Sequence, residues 1–267
     1  MYLLTDIGKS LLSDIIQILA GCAVAALVLR LAGGRPGTLC PRRPGGYLSI
    51  VASTLCGILF PMETFGLVPV AAAAYTVGVR LYMIAPAVFA NALFNTLAPF
   101  TDVGFVWTTG IYRLLTAVVI GVCSGIILKQ VKINDGAFIR GKSVEAVIGR
   151  PGNSPGFPKL LNNCFLTIGP YLIVGVVLHA IFMRYIFYSL MYSINIGAIA
   201  TSVLGRFKGY DITTPVFMQT MVIFYSVVNF KSLLALVSLF RLKSLPAYYL
   251  YLAVWVAILA ALNILFI

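Results

Sequence analysis

Charge is what this chain has least of. Only 10% of its 267 residues are charged and 61% are hydrophobic, against about 25% and 45–50% in an ordinary soluble domain. That excludes a soluble globular protein and points to several membrane-crossing helices. At about 1.5 Å of rise per residue, a bilayer core of about 30 Å takes some 20 residues per crossing, so 267 residues leave no room for a soluble ATPase module. The expectation is a chain without a nucleotide-binding loop of its own. Acidic residues are scarcer still, 7 against 19 basic. In a soluble protein that excess would suggest nucleic acid. Here it reads as the positive-inside bias of cytoplasmic loops, because ten of the basic residues fall within Arg30–Arg43 and Lys129–Lys159.

Histidine occurs once, as His179, and the five cysteines form no Cys-x-x-Cys, so neither a metal centre nor a disulfide framework is expected. Cys22, Cys56, Cys123 and Cys164 lie in or beside apolar runs and read as small packing residues, with Cys40 in a basic loop. Leu19-Ala20-Gly21-Cys22 imitates a lipoprotein cleavage box. It is preceded by Asp6 and Asp14 where a basic region is required, and the apolar run continues through Leu31, so the segment reads as a retained helix.

Along the chain the first span runs from about Leu11 to Leu31 and ends in a basic loop rich in Gly and Pro. Tyr47–Phe60 and Phe65–Val77 follow, separated by Pro61-Met62-Glu63-Thr64. Each half would reach only about 20 Å, so the pair reads as a re-entrant hairpin leaving and returning on the cytoplasmic side. Leu81–Pro99 exits and Phe105–Leu128 returns. Lys129–Asn163 is polar and basic, and reads as a cytoplasmic linker. Beyond it, Cys164–Met183 exits, Tyr185–Gly205 is broken near Asn195 and Gly197, Pro215–Phe240 re-enters and Pro246–Ile267 exits. The expected fold is therefore all-α and polytopic, with about eight hydrophobic units as two inverted-topology repeats, each carrying a broken helical hairpin. Residues 1–128 form the first repeat, 129–163 the linker and 164–267 the second. Both basic loops would be cytoplasmic and both termini outside, in the cell (inner or plasma) membrane. Arg206 and Lys208 fall on the outer side of this path, against the charge rule.

A charge within the hydrocarbon costs at least about 2.5 kcal/mol at its centre, so each one needs a partner or a function. Glu63, with Thr64 beside it at the hairpin break, is the foremost candidate for substrate or ion coupling. Its other reading is an ion pair with Lys231 or Arg113. Lys231 either meets an anion or snorkels to the cytoplasmic interface with Arg241 and Lys243. Arg113 reads as a structural clamp on carbonyls or a carboxylate. Asn91 and Asn95 share a helix face and serve either helix packing or a polar path. His179 reads as a hydrogen-bonded or interfacial residue. No catalytic residue, metal or cofactor is expected, since no paired intramembrane Asp and no Ser-His arrangement is visible.

Gly57-Ile58-Leu59-Phe60-Pro61-Met62-Glu63-Thr64-Phe65-Gly66-Leu67-Val68-Pro69 matches without a gap a Gly-x-x-x-Pro-x-Cys-Ser-Cys-Gly-x-x-Pro core, and Tyr112-Arg113-Leu114-Leu115 matches an Arg-Leu-Leu segment. Asn229-Phe230-Lys231, with Phe240-Arg241 beyond it, matches an Asp-x-Lys element. In these the chain resembles the ArsP/YraQ-type permeases, a family of predicted transporters that includes organoarsenical efflux proteins. The resemblance implies a transporter fold. Glu63 and Phe65 stand where that family has its two cysteines, and Asn229 where it has an acid. A carboxylate is a hard oxygen ligand unsuited to a soft arsenical. An acid gained at Glu63 and lost at Asn229 would keep a partner for Lys231 if the two meet. Changing Glu63 alone should then do more harm than changing both.

The expected function is an integral membrane permease, a secondary transporter of a small polar or amphipathic solute. Its partners would be the bilayer and a small-molecule or ion substrate, not nucleic acid. The alternative is a non-transporting scaffold or export-accessory subunit. A second copy or an accessory protein would dock at the basic loop.

Overall fold

The computed structural model describes residues 2–32, 46–94, 106–130, 139, 141–149, 155–182, 185 and 230–240. The second hairpin expected at 185–205, the span expected at 246–267, and Asn95 and Asn229 lie outside the described residues, apart from Tyr185. The described residues form eight helices: α1 (Tyr2–Leu31), α2 (Tyr47–Leu59), α3 (Thr64–Thr76), α4 (Leu81–Phe94), α5 (Val106–Gln130), α6 (Gly141–Ile148), α7 (Phe157–Ile181) and α8 (Phe230–Leu239). No strand occurs among them.

The first helix starts nine residues earlier than its hydropathy suggests. No Pro interrupts Tyr2–Leu31, and helix continues past the apolar run, reaching about 45 Å. The break between α2 and α3 follows from Pro61. A residue before proline is pushed out of the helical region, and Phe60 is extended at φ −70° and ψ 118°. Glu63 remains extended, at φ −66° and ψ 168°, before α3 begins. At the other end of α3, Gly78 adopts φ 94°. Its neighbour Val79 donates back to Ala74 O at 3.0 Å, the glycine-terminated helix end that lets the chain turn into α4.

The register of α2 against α4 decides how the chain runs. Ser53 Oγ donates to Met83 O, and the Cα of Gly57 sits against the Ala87 backbone. Each contact joins a residue to one thirty positions later, so α2 and α4 run in the same direction. The intervening α3 therefore runs back, and the segment 47–77 doubles on itself. Helix α5 is antiparallel to both: Gly121 lies on Thr54 and Ala90, and Gly125 on Ile50 and Pro86. Helix α1 runs parallel to α3, since Gln17 meets the Glu63 N–H and Gly21, one turn on, meets the Gly66 carbonyl. These directions bring the C-terminal ends of α1, α3 and α5 to one side of the bundle, with Arg30, Arg80 and Lys129. The Lys129 Nζ there stands 4.2 Å from the centre of the Tyr47 ring.

The region expected to be only a linker contributes to the core. Val144, Val147 and Ile148 of α6 are buried where that helix packs on α3 and α7. Asn163 Nδ2 donates to Val147 O at 3.4 Å. Helix α7 itself starts at Phe157, seven residues before Cys164, behind an extended Gly156 and with Pro in its first turn. Against the expectation that no such pattern occurs, the sequence here carries the spacing of a nucleotide loop. Gly136, Gly141, Lys142 and Ser143 do have the Gly-x-x-x-x-Gly-Lys-Ser spacing. A phosphate loop joins a sheet strand to a helix. Here Ile139 instead makes an isolated bridge to Phe240, and the helix that follows has eight residues packed by its apolar side.

Among the described residues two helical segments, Ile7–Leu31 and Phe157–Ile181, are long and apolar enough to cross a membrane, both with mean hydropathy 2.1. Only 33% and 28% of their most apolar stretches are buried. Leu12, Ile16 and Leu27 of α1 and Leu166, Ile173 and Val174 of α7 are exposed. In water each would forgo about 1.5–3 kcal/mol of burial.

Candidate functional site

The polar centre of the bundle lies where the hairpin breaks. Lys231 of α8 extends its Nζ to 2.9 Å from Asp14 Oδ1 of α1 and to 3.0 Å from Glu63 Oε2 at the break. The same Nζ donates to Ser10 Oγ at 3.2 Å. Asp14 is fully enclosed, and the Lys231 and Glu63 side chains are 11% and 22% exposed. Two acids thus share one ammonium inside apolar helices, an arrangement that folds only if its charges stay compensated.

Neighbouring groups hold the triad in place. The Glu63 backbone N–H, which begins α3, donates to Gln17 Oε1, tying the hairpin tip to α1. Thr64 Oγ1 donates to Ser232 Oγ at 3.2 Å, tying it to α8. Gly21 and Gly66 allow the approach, for a Cβ at Gly21 would lie inside the Gly66 carbonyl. Gly175 of α7 faces Lys231 and Leu234, where an added Cβ would make only ordinary van der Waals contact. His179, one turn further along α7, lies within electrostatic range of Lys231 and Glu63.

Of the residues anticipated from sequence, Glu63, Thr64 and Lys231 come together. Lys231 lies away from the basic end of the bundle. It stands beside the hairpin tip, about 20 Å along α2 from the end that carries Lys129. Asn91 is fully buried but serves the hairpin rather than the cluster. Its Nδ2 donates to Gly57 O at 3.1 Å and to Met62 O at 2.8 Å, which caps the carbonyls left open where α2 stops. Its Oδ1 accepts no hydrogen bond among the described residues. Arg113 lies in α5, its side chain outside the described atoms.

Sequence reasoning passes over Asp14, along with Ser10 and Gln17. The signal is nonetheless present. Ser10, Asp14, Gln17 and Gly21 follow at steps of four, three and four, one polar and small stripe on an otherwise apolar helix.

Neither protein-family models, nor curated proteins, nor solved structures give a match to this chain. The likeness to the permeases rests on the three short motifs around Glu63, Arg113 and Lys231.

Proposed function

We propose that the protein is a polytopic membrane permease of the cell membrane, a secondary transporter whose site is the Asp14–Glu63–Lys231 cluster at the tip of a re-entrant hairpin. The basic end, with Arg30, Arg80 and Lys129, faces the cytoplasm, and the N-terminus lies outside. The observation that carries this reading is the placement of two carboxylates on one lysine at a helix break, far from the basic end. Half-helix ends meeting at mid-depth are where secondary transporters bind ions and substrates. Intramembrane acids paired with a base are suited to carry a coupling proton, because protonating one releases the pairing and loosens the helices it joins. The outward-facing apolar side chains of α1 and α7 and the short α2, α3 and α4 support the same reading. So do the family-like motifs, with Glu63 in a cysteine position.

Flux into liposomes tests it, over a panel of cations, anions and neutral solutes with and without a pH gradient. We expect gradient-dependent flux in the native protein and a loss of at least about tenfold in Glu63→Gln, which keeps the Asp14–Lys231 pair and should remain folded. Absence of flux throughout, with Glu63→Gln altering only stability, would favour the scaffold or accessory-subunit reading.

A further inference from the structure

The charge count of the cluster is incomplete. With both acids ionised, Asp14 and Glu63 bring two negative charges and Lys231 one positive. Asp14 is enclosed, and apart from the ion-pair contact with Nζ neither of its oxygens accepts a hydrogen bond among the described residues. Its carboxyl shares the Lys231 Nζ with that of Glu63. The titratable groups facing it are Glu63 from the hairpin and Lys231 from α8, His179 of α7 lies within electrostatic range of those two, and Ser10 and Gln17 flank it on α1. Two buried carboxylates on one ammonium are short of one positive charge.

The cradle also has a shape. An ammonium nitrogen already lies within hydrogen-bonding distance of oxygens from Asp14, Glu63 and Ser10, at 2.9, 3.0 and 3.2 Å. An –NH₃⁺ group carries three donors and no acceptor. An anion would have to displace both carboxylates from Lys231 and would then face them unpaired.

We propose that the cargo is a primary ammonium ion, R–NH₃⁺, exchanged one for one against a proton at the Asp14–Glu63 pair, with Lys231 as the tethered occupant that yields its place. This deepens the permease reading and rests on it. At rest one proton supplies the missing charge. Entry of the ammonium releases that proton, so the net charge of the cluster is the same before and after.

Chemical rescue tests the cradle without requiring transport. In Lys231→Ala the missing part of the side chain is n-propylammonium, and we expect that ion to raise the melting temperature of the purified variant by about 5 °C near saturation. Tetramethylammonium and sodium chloride at equal ionic strength should raise it by less than about 1 °C. The triple variant Asp14→Asn, Glu63→Gln, Lys231→Ala should not respond. Equal responses to all three cations, or no response, would overturn the proposal. So would a Lys231→Ala protein that fails to fold even when prepared throughout in propylammonium while the triple variant folds. Rescue without proton-driven flux of any solute would leave the ammonium site standing and sink the permease reading. Proton-driven flux of an anion or neutral solute without rescue would do the reverse.

Discussion

Replacing Lys231 by methionine is expected to destabilise the protein by about 3–5 kcal/mol, because it leaves two buried carboxyl groups with no counter-charge. Glu63→Gln or Asp14→Asn alone should be far milder, within about 1–2 kcal/mol, since each leaves one acid on one ammonium. The triple variant Asp14→Asn, Glu63→Gln, Lys231→Met, uncharged and close in volume, should recover most of the loss. Thermal unfolding in detergent measures all four. Equal losses from the three single variants would mean that the groups do not act as a unit. This ordering reverses the one suggested by sequence alone. With Glu63 as the sole acid, changing it together with Lys231 would be gentler than changing Glu63 by itself. Asp14 alters the count: the double change strands Asp14, whereas the single one leaves a balanced pair.

The second large effect comes from glycines. A Cβ on Gly21 would lie inside the Gly66 carbonyl, and one on Gly57 inside the backbone of Ala87. Backbone atoms cannot rotate away, so even alanine must push α1 from α3, or α2 from α4. Gly21→Ala and Gly57→Ala should each cost about 2–3 kcal/mol, and valine at either place should abolish folded protein in the membrane fraction. Gly8 and Gly169 are helical glycines where an added Cβ would meet nothing within 4 Å. Alanine there should be neutral or stabilising by up to about 1 kcal/mol. Melting temperatures of the four alanine variants decide the matter, and a uniform response would contradict the packing described.

What is legible in the sequence is what depends on near neighbours. Pro61 ends α2 whatever surrounds it. The spacing of basic residues places Arg30, Arg80 and Lys129 at one end, which requires 47–77 to double back, and the thirty-residue register of α2 on α4 agrees. The depth of Lys231 is not legible, because an ammonium that snorkels and one that pairs look alike until its partners are located. Those partners lie 168 and 217 positions away along the chain, at Glu63 and Asp14. Asp14 itself reads from sequence only as a charge near the terminus, although its place in the Ser10–Gly21 stripe carries the information. Helix α6 escapes notice because four apolar residues in an eight-residue helix, among basic and polar neighbours, give too short a period to register.

In the proposed transport cycle the hairpin tip opens to each side of the membrane in turn. Met62 is partly exposed and lies next to Glu63 without joining the triad, so Met62→Cys in a background lacking the native cysteines reports on the site without dismantling it. Labelling by a membrane-impermeant thiol reagent, applied to right-side-out and to inside-out vesicles, is the most direct measurement. Alternating access predicts modification from both sides, with a pH gradient shifting the ratio. Modification from one side only, unmoved by the gradient, would contradict it and leave the cluster as a structural clamp.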